Sequence, residues 1–301
     1  MLNRSLIYAL TLALAGAIAF VVTGCSSLPK NSVDEIVAPS NDRNWRKSMA
    51  VLPHARIHGD KAKIYNIRNF TYLSEEDYVV HYYDEQFDLE AIESVDFVVV
   101  PFKQTPSLAH TMMSFGFQDG RYLAVSVEVR LEEGESYSPI AGAMRQFEII
   151  YVVADERDVI KLRTEQRDSD VYVYRTRATP QQSRELFVDV MRRVNSLKKN
   201  PEFYDTFMNN CTTNIVTHIN HVLPGSVPWN IGVLLPGYSD QLAYDLGLLV
   251  DYGGFEATKR RAHINPLAHR YAQNPRFSQL IRGNMPTDRW AEQNDEQIRT
   301  R

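Results

Sequence analysis

Short apolar runs separated by turn residues fill residues 60–178, and helical periodicity sets in only at Thr179. A run of strands followed by a run of helices predicts an α+β domain. Strands are expected at about 63–70, 78–84, 95–102, 108–117, 121–132, 146–154 and 170–177, from apolar and alternating patterns bounded by turn residues. Thr179-Pro180-Gln181-Gln182 supplies an N-cap, a proline at the first helical position and the glutamine that closes a capping box. Leu186, Val190, Val194 and Leu197 then recur at helical spacing, so an amphipathic helix is expected over 180–198. A second helix should start at Asn209 or Asn210, carry Ile215, Ile219, Val222 and Leu223 on one face, and stop at Pro224-Gly225. Residues 224–239 read as a loop and 240–250 as one more helix.

The first 25 residues read as a targeting segment. Arg4 gives a positive start, Leu6 to Val22 an apolar run, and Val22-Thr23-Gly24-Cys25 follows. The V-T-G-C stretch resembles a bacterial lipobox, which implies removal of residues 1–24 and lipidation of Cys25; an uncleaved membrane anchor is the alternative. Ser26 fits delivery to the outer membrane, so the expected location is the periplasmic face of the envelope. Residues 25–44 then form the lipidated cysteine and a flexible linker, 45–285 the periplasmic domain and 286–301 a polar, frayed tail. A hydrophobic content of 44% lets 301 residues bury a real core. A formal charge of -4 offers no basic footprint, so nucleic acid is not an expected partner.

With Cys25 lipidated, Cys211 is a lone thiol in an oxidising compartment, where it must be either buried or used. An N-cap at Asn209 or Asn210 puts it in the first turn of its helix, where unpaired N–H groups and the helix dipole favour a thiolate. Buried packing is the competing explanation. A nucleophilic cysteine needs a histidine to take its proton. His54 and His58, in the HARIH stretch, read as an exposed loop without a third metal ligand. His81 lies in a tyrosine-rich strand, and His263 and His269 in a basic, solvated stretch. His218 and His221 stand two and almost three turns along the same helix as Cys211, too far to touch it.

His110 remains, within a hairpin that runs from 108 to 132. A loop of Gln118-Asp119-Gly120 with Gly120 left-handed pairs Met112 with Ser126 and His110 with Glu128. One face is then Ala109, Thr111, Met113, Phe115 and Phe117 against Leu123, Val125, Val127, Val129 and Leu131. The other holds His110, Ser114, Ser126, Glu128 and Arg130. A two-residue loop would mix apolar and charged residues on both faces, so the hydrophobic match selects three. The bland alternative is a half-solvated sheet whose polar side includes a histidine. Together the residues suggest a thiol site: Cys211 as nucleophile, His110 as base, Glu128 orienting it with Ser126 in reserve, and Asn210 or main-chain N–H groups as oxyanion donors. No ligand spacing calls for a metal, and the chemistry needs no cofactor.

The segments NIRNFTY (66–72), YYDEQFDL (82–89), VDFVVVPF (95–102), AHTMMSFGF (109–117), LAVSVEVRLEEGESY (123–137), RQFEIIYVVADERDVI (145–160) and NNCTTNI (209–215) resemble the Lnb-type lipoprotein N-acyltransferase family in its N-terminal periplasmic domain. The resemblance spans roughly 45–270. It implies a circularly permuted papain-like fold of the NlpC/P60 superfamily, an antiparallel sheet with packed helices, and explains why the histidine precedes the cysteine. It implies acyl transfer through a thioester, with Cys211 attacking an ester and His110 accepting and returning the proton. Characterised members act on lipoproteins and are membrane-embedded beyond this domain, whereas here nothing after residue 25 reads as a span.

The expected partners are a membrane lipid or lipoprotein substrate and the membrane reached through Cys25. The alternatives are an amidase acting on cell-wall peptides and a non-catalytic outer-membrane lipoprotein. An apolar tunnel beside Cys211 would favour an acyl chain, and an open polar groove a peptide. Arg68 and Arg130 are read as structural ion-pair partners, with an anionic headgroup as the alternative.

Overall fold

A computed structural model describes residues 38–229 and 231–283. The strands are β1 (His54–His58), β2 (Lys61–Arg68), β3 (Thr71–Tyr72), β4 (Tyr78–Val79), β5 (Tyr82–Asp88), β6 (Ile92–Phe102), β7 (Thr105–Phe117), β8 (Tyr122–Arg130), β9 (Glu148–Asp155) and β10 (Tyr172–Arg175). Among the described residues, one sheet runs β1-β2-β9-β8-β7-β6-β10 with β5 also on β2, and β3 and β4 form a small ribbon of their own. The sheet is mixed instead of wholly antiparallel, because β2 meets β9 in parallel at Arg68 and Ala154. Such a contact joins strands far apart in the chain, which local pattern does not encode.

The main helices are α1 (Glu156–Lys161), α2 (Pro180–Lys199), α3 (Cys211–Val222), α4 (Ser239–Asp245), α5 (Phe255–Ala262) and α6 (Asn265–Arg270). α2 begins as its sequence dictates: Thr179 accepts from the Gln182 N–H, and the Gln182 side chain returns a bond to Thr179. Its Leu186, Phe187, Val190, Met191, Val194 and Leu197 are buried with Ile215 of α3 against Met113, Phe115, Val125 and Val127 of the sheet. Each such side chain contributes about 1.5–3 kcal/mol of transfer free energy. Val159 and Ile160 of α1, with Ile264, Ala268, Phe277 and Ile281, cover the other side of the sheet over Met112, Ala124, Ile150 and Val152. The sheet is therefore closed on both faces, and the polar side of the β7-β8 hairpin is no half-solvated surface.

Three sequence readings change here. HARIH is not a loop but β1, paired with β2 from His54–Tyr65 to His58–Lys61; the Asn195 side chain of α2 holds both the N–H and the C=O of Ala55. The 255–270 stretch is not simply solvated, since Ile264 and Ala268 are fully buried. The linker expected through residue 44 is tied down earlier: the Ser40 N–H and Arg43 both bond Glu148, and Asn41 bonds the Leu197 and Lys198 carbonyls. The targeting segment, Cys25 and the 286–301 tail lie outside the described residues.

Candidate active site

The hairpin turn forms as its residues require. Gly120 has φ +81°, its N–H bonds Phe117 O, and the Phe117 N–H bonds Arg121 O. The register follows: Met112 pairs with Ser126, Met113 with Val125 and Phe115 with Leu123. The ladder stops at Met112–Ser126, however, so His110 and Glu128 are not backbone partners. Beyond that point β7 still pairs with β6, at Val100–His110 and Pro101–Ala109, and β8 with β9, as far as Arg130–Glu148. The two strands thus fork, and His110, Ser126 and Glu128 meet through their side chains at the fork.

The proton on each atom can be assigned. Ser126 Oγ donates to Glu128 Oε1 at 2.6 Å, which spends its only hydrogen. It must then accept from His110 Nε2, 2.7 Å away. His110 Nε2 also lies 3.3 Å from Glu128 Oε1. With Nε2–H committed on this side, the interaction with His110 that lowers the Cys211 thiol falls to Nδ1, the nitrogen with a free lone pair. Glu128 is in turn held by Arg163, whose Nη2 donates at 2.8 Å while Nη1 bonds Val159 O.

Cys211 is the first residue of α3 and is buried. Burial pushes its thiol up, but the hydrogen bond and charge of His110, with the hydroxyl and N–H of Thr111, more than offset that and leave it at about 7. Burial pulls His110 down and the Glu128 charge pulls it up, the net shift being upward. Burial likewise opposes ionisation of Glu128, yet His110, Arg163 and the Ser126 hydroxyl hold it well below the usual carboxylate range. The three groups favour an ionised chain of carboxylate, imidazolium and thiolate.

Asn210 is placed differently from its expected role as a side-chain oxyanion donor. Its Oδ1 caps Thr213 N at 2.9 Å and its Nδ2 donates to Thr206 O at 2.7 Å. The Thr213 hydroxyl accepts from Asn210 N at 2.8 Å, completing a capping box. The main-chain N–H groups of Cys211 and Thr212, first-turn donors without intrahelical acceptors, are the better placed pair. Thr111 and Arg163 were missed from sequence: a threonine in an apolar strand and an arginine in DVIKLRTE carry no local signal of a partner many residues away.

A mainly apolar cavity of about 250 Å³ lies along α3, lined by Thr212, the residue after Cys211, and by Ile215, Val216 and Ile219; Leu242 and Leu246 line it as well. The segment after α3 contributes to it. Instead of a plain loop it holds helical turns at Ile231–Leu234 and Pro236–Tyr238. Gly237 sits so close to Pro106 O and Ser107 that a Cβ would overlap both, which pins this segment onto the start of the strand that carries His110.

The remaining histidines are elsewhere. His218 Nδ1 is 2.6 Å and His221 Nδ1 3.1 Å from Asp189 Oδ2 of α2. These three atoms lie within 4.8 Å of one another, a grouping of metal-ligand type that sequence spacing did not reveal, because Asp189 comes from another helix. His263 bonds Asp170 and His269 bonds Thr164 O. Arg68 is paired with buried Asp158 at 2.8 Å. Arg130 instead bonds the Met49 and Ala50 carbonyls and Asn41, and stacks on Trp45.

The site thus joins a cysteine at a helix N-terminus to a strand histidine and a carboxylate. The family model for the Lnb N-terminal periplasmic domain matches residues 78–237, just over half of the chain, and the chain belongs to that family. No curated protein and no solved structure matches it. A periplasmic location fits this membership. No helix among the described residues is long and apolar enough to cross a membrane.

Proposed function

We propose that this chain is a periplasmic thiol acyltransferase or hydrolase that takes an acyl group from a lipid or lipoprotein ester onto Cys211. The observation that carries the reading is the coupling of Cys211 to His110 one residue before Thr212, which lines a mainly apolar cavity. An acyl chain laid along α3 brings its ester carbonyl to the first turn of the helix. The Cys211 thiolate attacks the carbonyl carbon, and the N–H groups of Cys211 and Thr212 receive the developing oxyanion. His110 Nδ1, holding the thiol proton, returns it to the leaving alkoxide and leaves a thioester. An amine or a water then attacks the thioester, with His110 taking the incoming proton and the thiolate leaving. Glu128 and Ser126 hold Nε2–H, so the ring keeps its orientation and tautomer while Nδ1 gives up and regains its proton.

A peptide amidase of the NlpC/P60 type would use the same residues, but an aliphatic cavity suits a fatty chain better than a polar peptide stem. The strand histidine ahead of the helix cysteine supports reading the α+β fold as a circularly permuted papain-like one. Lipidation of Cys25 after removal of residues 1–24 would tether the domain, taken as 45–285, to the outer membrane and bring it to its substrate.

The test is to incubate the mature chain with phospholipid vesicles, quench in acid and measure intact mass. A fatty-acyl adduct that hydroxylamine removes, and that Cys211→Ser lacks, is the expected result. Absence of any adduct, together with cleavage of cell-wall peptides, would move the assignment to the amidase.

A further inference from the structure

Two turns below Cys211, α3 packs a second polar group against α2. His218 is buried and His221 exposed, and both aim Nδ1 at Asp189 Oδ2, at 2.6 and 3.1 Å. The protons in this group can be counted from one end. Asn214 Nδ2 donates to Asn209 Oδ1 and to Asn210 O, both at 2.9 Å, so its Oδ1 is the atom that faces Tyr151. It accepts the Tyr151 O–H at 2.9 Å. The only proton of Tyr151 is now used, and its oxygen must accept from His218 Nε2, 2.8 Å away.

A neutral His218 therefore carries its hydrogen on Nε2. Its Nδ1 turns a lone pair toward the Asp189 carboxylate, two acceptors 2.6 Å apart, which is untenable unless a positive species lies between them. Without an ion, a proton on His218 Nδ1 and the Nδ1–H tautomer of His221 would share the oxygen. Yet His221, whose side chain is 60% exposed and free to turn to water, directs Nδ1 to the same carboxylate oxygen. Two imidazole nitrogens and a carboxylate oxygen converging from two helices form the donor set of a borderline divalent ion. Tyr151 behind His218 Nε2 supplies the outer hydrogen bond that fixes a ligating histidine.

We propose that Asp189, His218 and His221 bind a divalent transition-metal ion of the zinc type, leaving the fourth position to water. Bonds of about 2.0–2.1 Å around a tetrahedral ion put ligand atoms roughly 3.3 Å apart, so each histidine nitrogen must draw back from Asp189 Oδ2 by less than about 1 Å. The ion would clamp α3 to α2 and so hold the helix whose first residue is the thiol. This site stands apart from the reading of Cys211 and does not depend on it.

The test uses the full chain carrying Cys25→Ser and Cys211→Ala, so that no thiol competes for metal. Zn2+ is titrated calorimetrically near neutral pH, Co2+ is followed by its visible absorption, and thermal unfolding is recorded with and without Zn2+. The expected result is one ion per chain, a tetrahedral Co2+ spectrum and a raised Tm. Adding His221→Ala, at an exposed position that leaves the core untouched, should weaken binding by at least the roughly 10–100-fold that loss of a mere outer-shell partner costs and abolish the rise in Tm. Equal binding with and without His221, or no uptake of either ion, would overturn the site. So would a His218 ring that keeps protons on both nitrogens by NMR when Zn2+ is present.

Discussion

Strand β7 carries two clusters of buried charge on one side, and only one of them has the makings of a reactive site. Ser114, four residues from His110 and on the same side of the strand, belongs to the first. Arg282 donates to Asp96 at 2.7 Å and to both oxygens of Glu156 at 2.9 and 2.6 Å, and Ser114 bonds Glu156 at 2.6 Å. The Asp96 and Glu156 side chains are wholly buried. Here the ladders are unbroken, with Ser114 paired to Asp96 on β6 and to Ala124 on β8. In the second cluster Arg163 again meets a glutamate, but Glu128 and His110 keep 21% and 13% side-chain exposure, and the β7-β8 ladder has already ended. Buried charge therefore does not mark the site. The fork does, because it lets a histidine whose outer nitrogen is tied to a carboxylate present its other nitrogen to a thiol.

If that contrast is right, the two clusters should fail differently. Cys211→Ser should lower acyl-adduct formation and turnover by about a thousandfold or more, read by intact mass and ester release, with little change in Tm. Arg282→Met should do the reverse. Two carboxylates are left without their main partner in a dry interior, and urea unfolding should show a loss of about 3–5 kcal/mol, while folded protein still alkylates at Cys211 at the parental rate. A variant that loses reactivity before it loses stability would show that the two clusters are coupled.

His110→Ala tests the link across the fork. The thiol sits at about 7 only because His110 and Thr111 outweigh burial, so removing His110 must raise it. A rise to about 8.5 or more cuts the thiolate fraction at pH 7 from about half to a few per cent. Alkylation should then slow at least about tenfold at pH 7, the gap closing as pH passes about 9. An unchanged pH profile would mean that the thiol is tuned by the helix terminus alone.

The contrast also explains what the sequence could and could not convey. Asn210 as N-cap, the turn at Gln118-Asp119-Gly120 and the Met112–Ser126 register are written in neighbouring residues, and the structure follows them. The capping duty of Asn210 is equally local, and it is what takes its side chain away from the oxyanion. The fork, the parallel contact of β2 with β9, and the arrival of Arg163 and Asp189 beside their partners depend on how distant segments stack. A lone arginine or aspartate on a helix has the same local pattern whether it meets water or a buried ion. The strand character of HARIH was hidden for the same reason, since Asn195, 140 residues away, holds it.

The smallest effects address the order of Glu128 and Ser126 behind His110. Glu128 is depressed in the folded state, so its contribution to stability is complete above its unfolded value of about 4.3 and is lost as pH falls through the lower folded value. Glu128→Gln removes the charge that raises His110, and the thiolate loses part of its stabilisation. Alkylation at pH 7 should fall about five- to sixfold, as one unit in the apparent pKa of a thiol at about 7 requires, and the acid limb of the stability curve should flatten. Ser126→Ala leaves that charge in place, 3.3 Å from Nε2, and removes only the bridging hydroxyl, so the loss should be about two- to fivefold with the pH profile barely moved. Were Ser126→Ala to shift the profile as far as Glu128→Gln does, the hydroxyl and not the carboxylate would be the group that positions the imidazole, and the glutamate would serve mainly to neutralise Arg163.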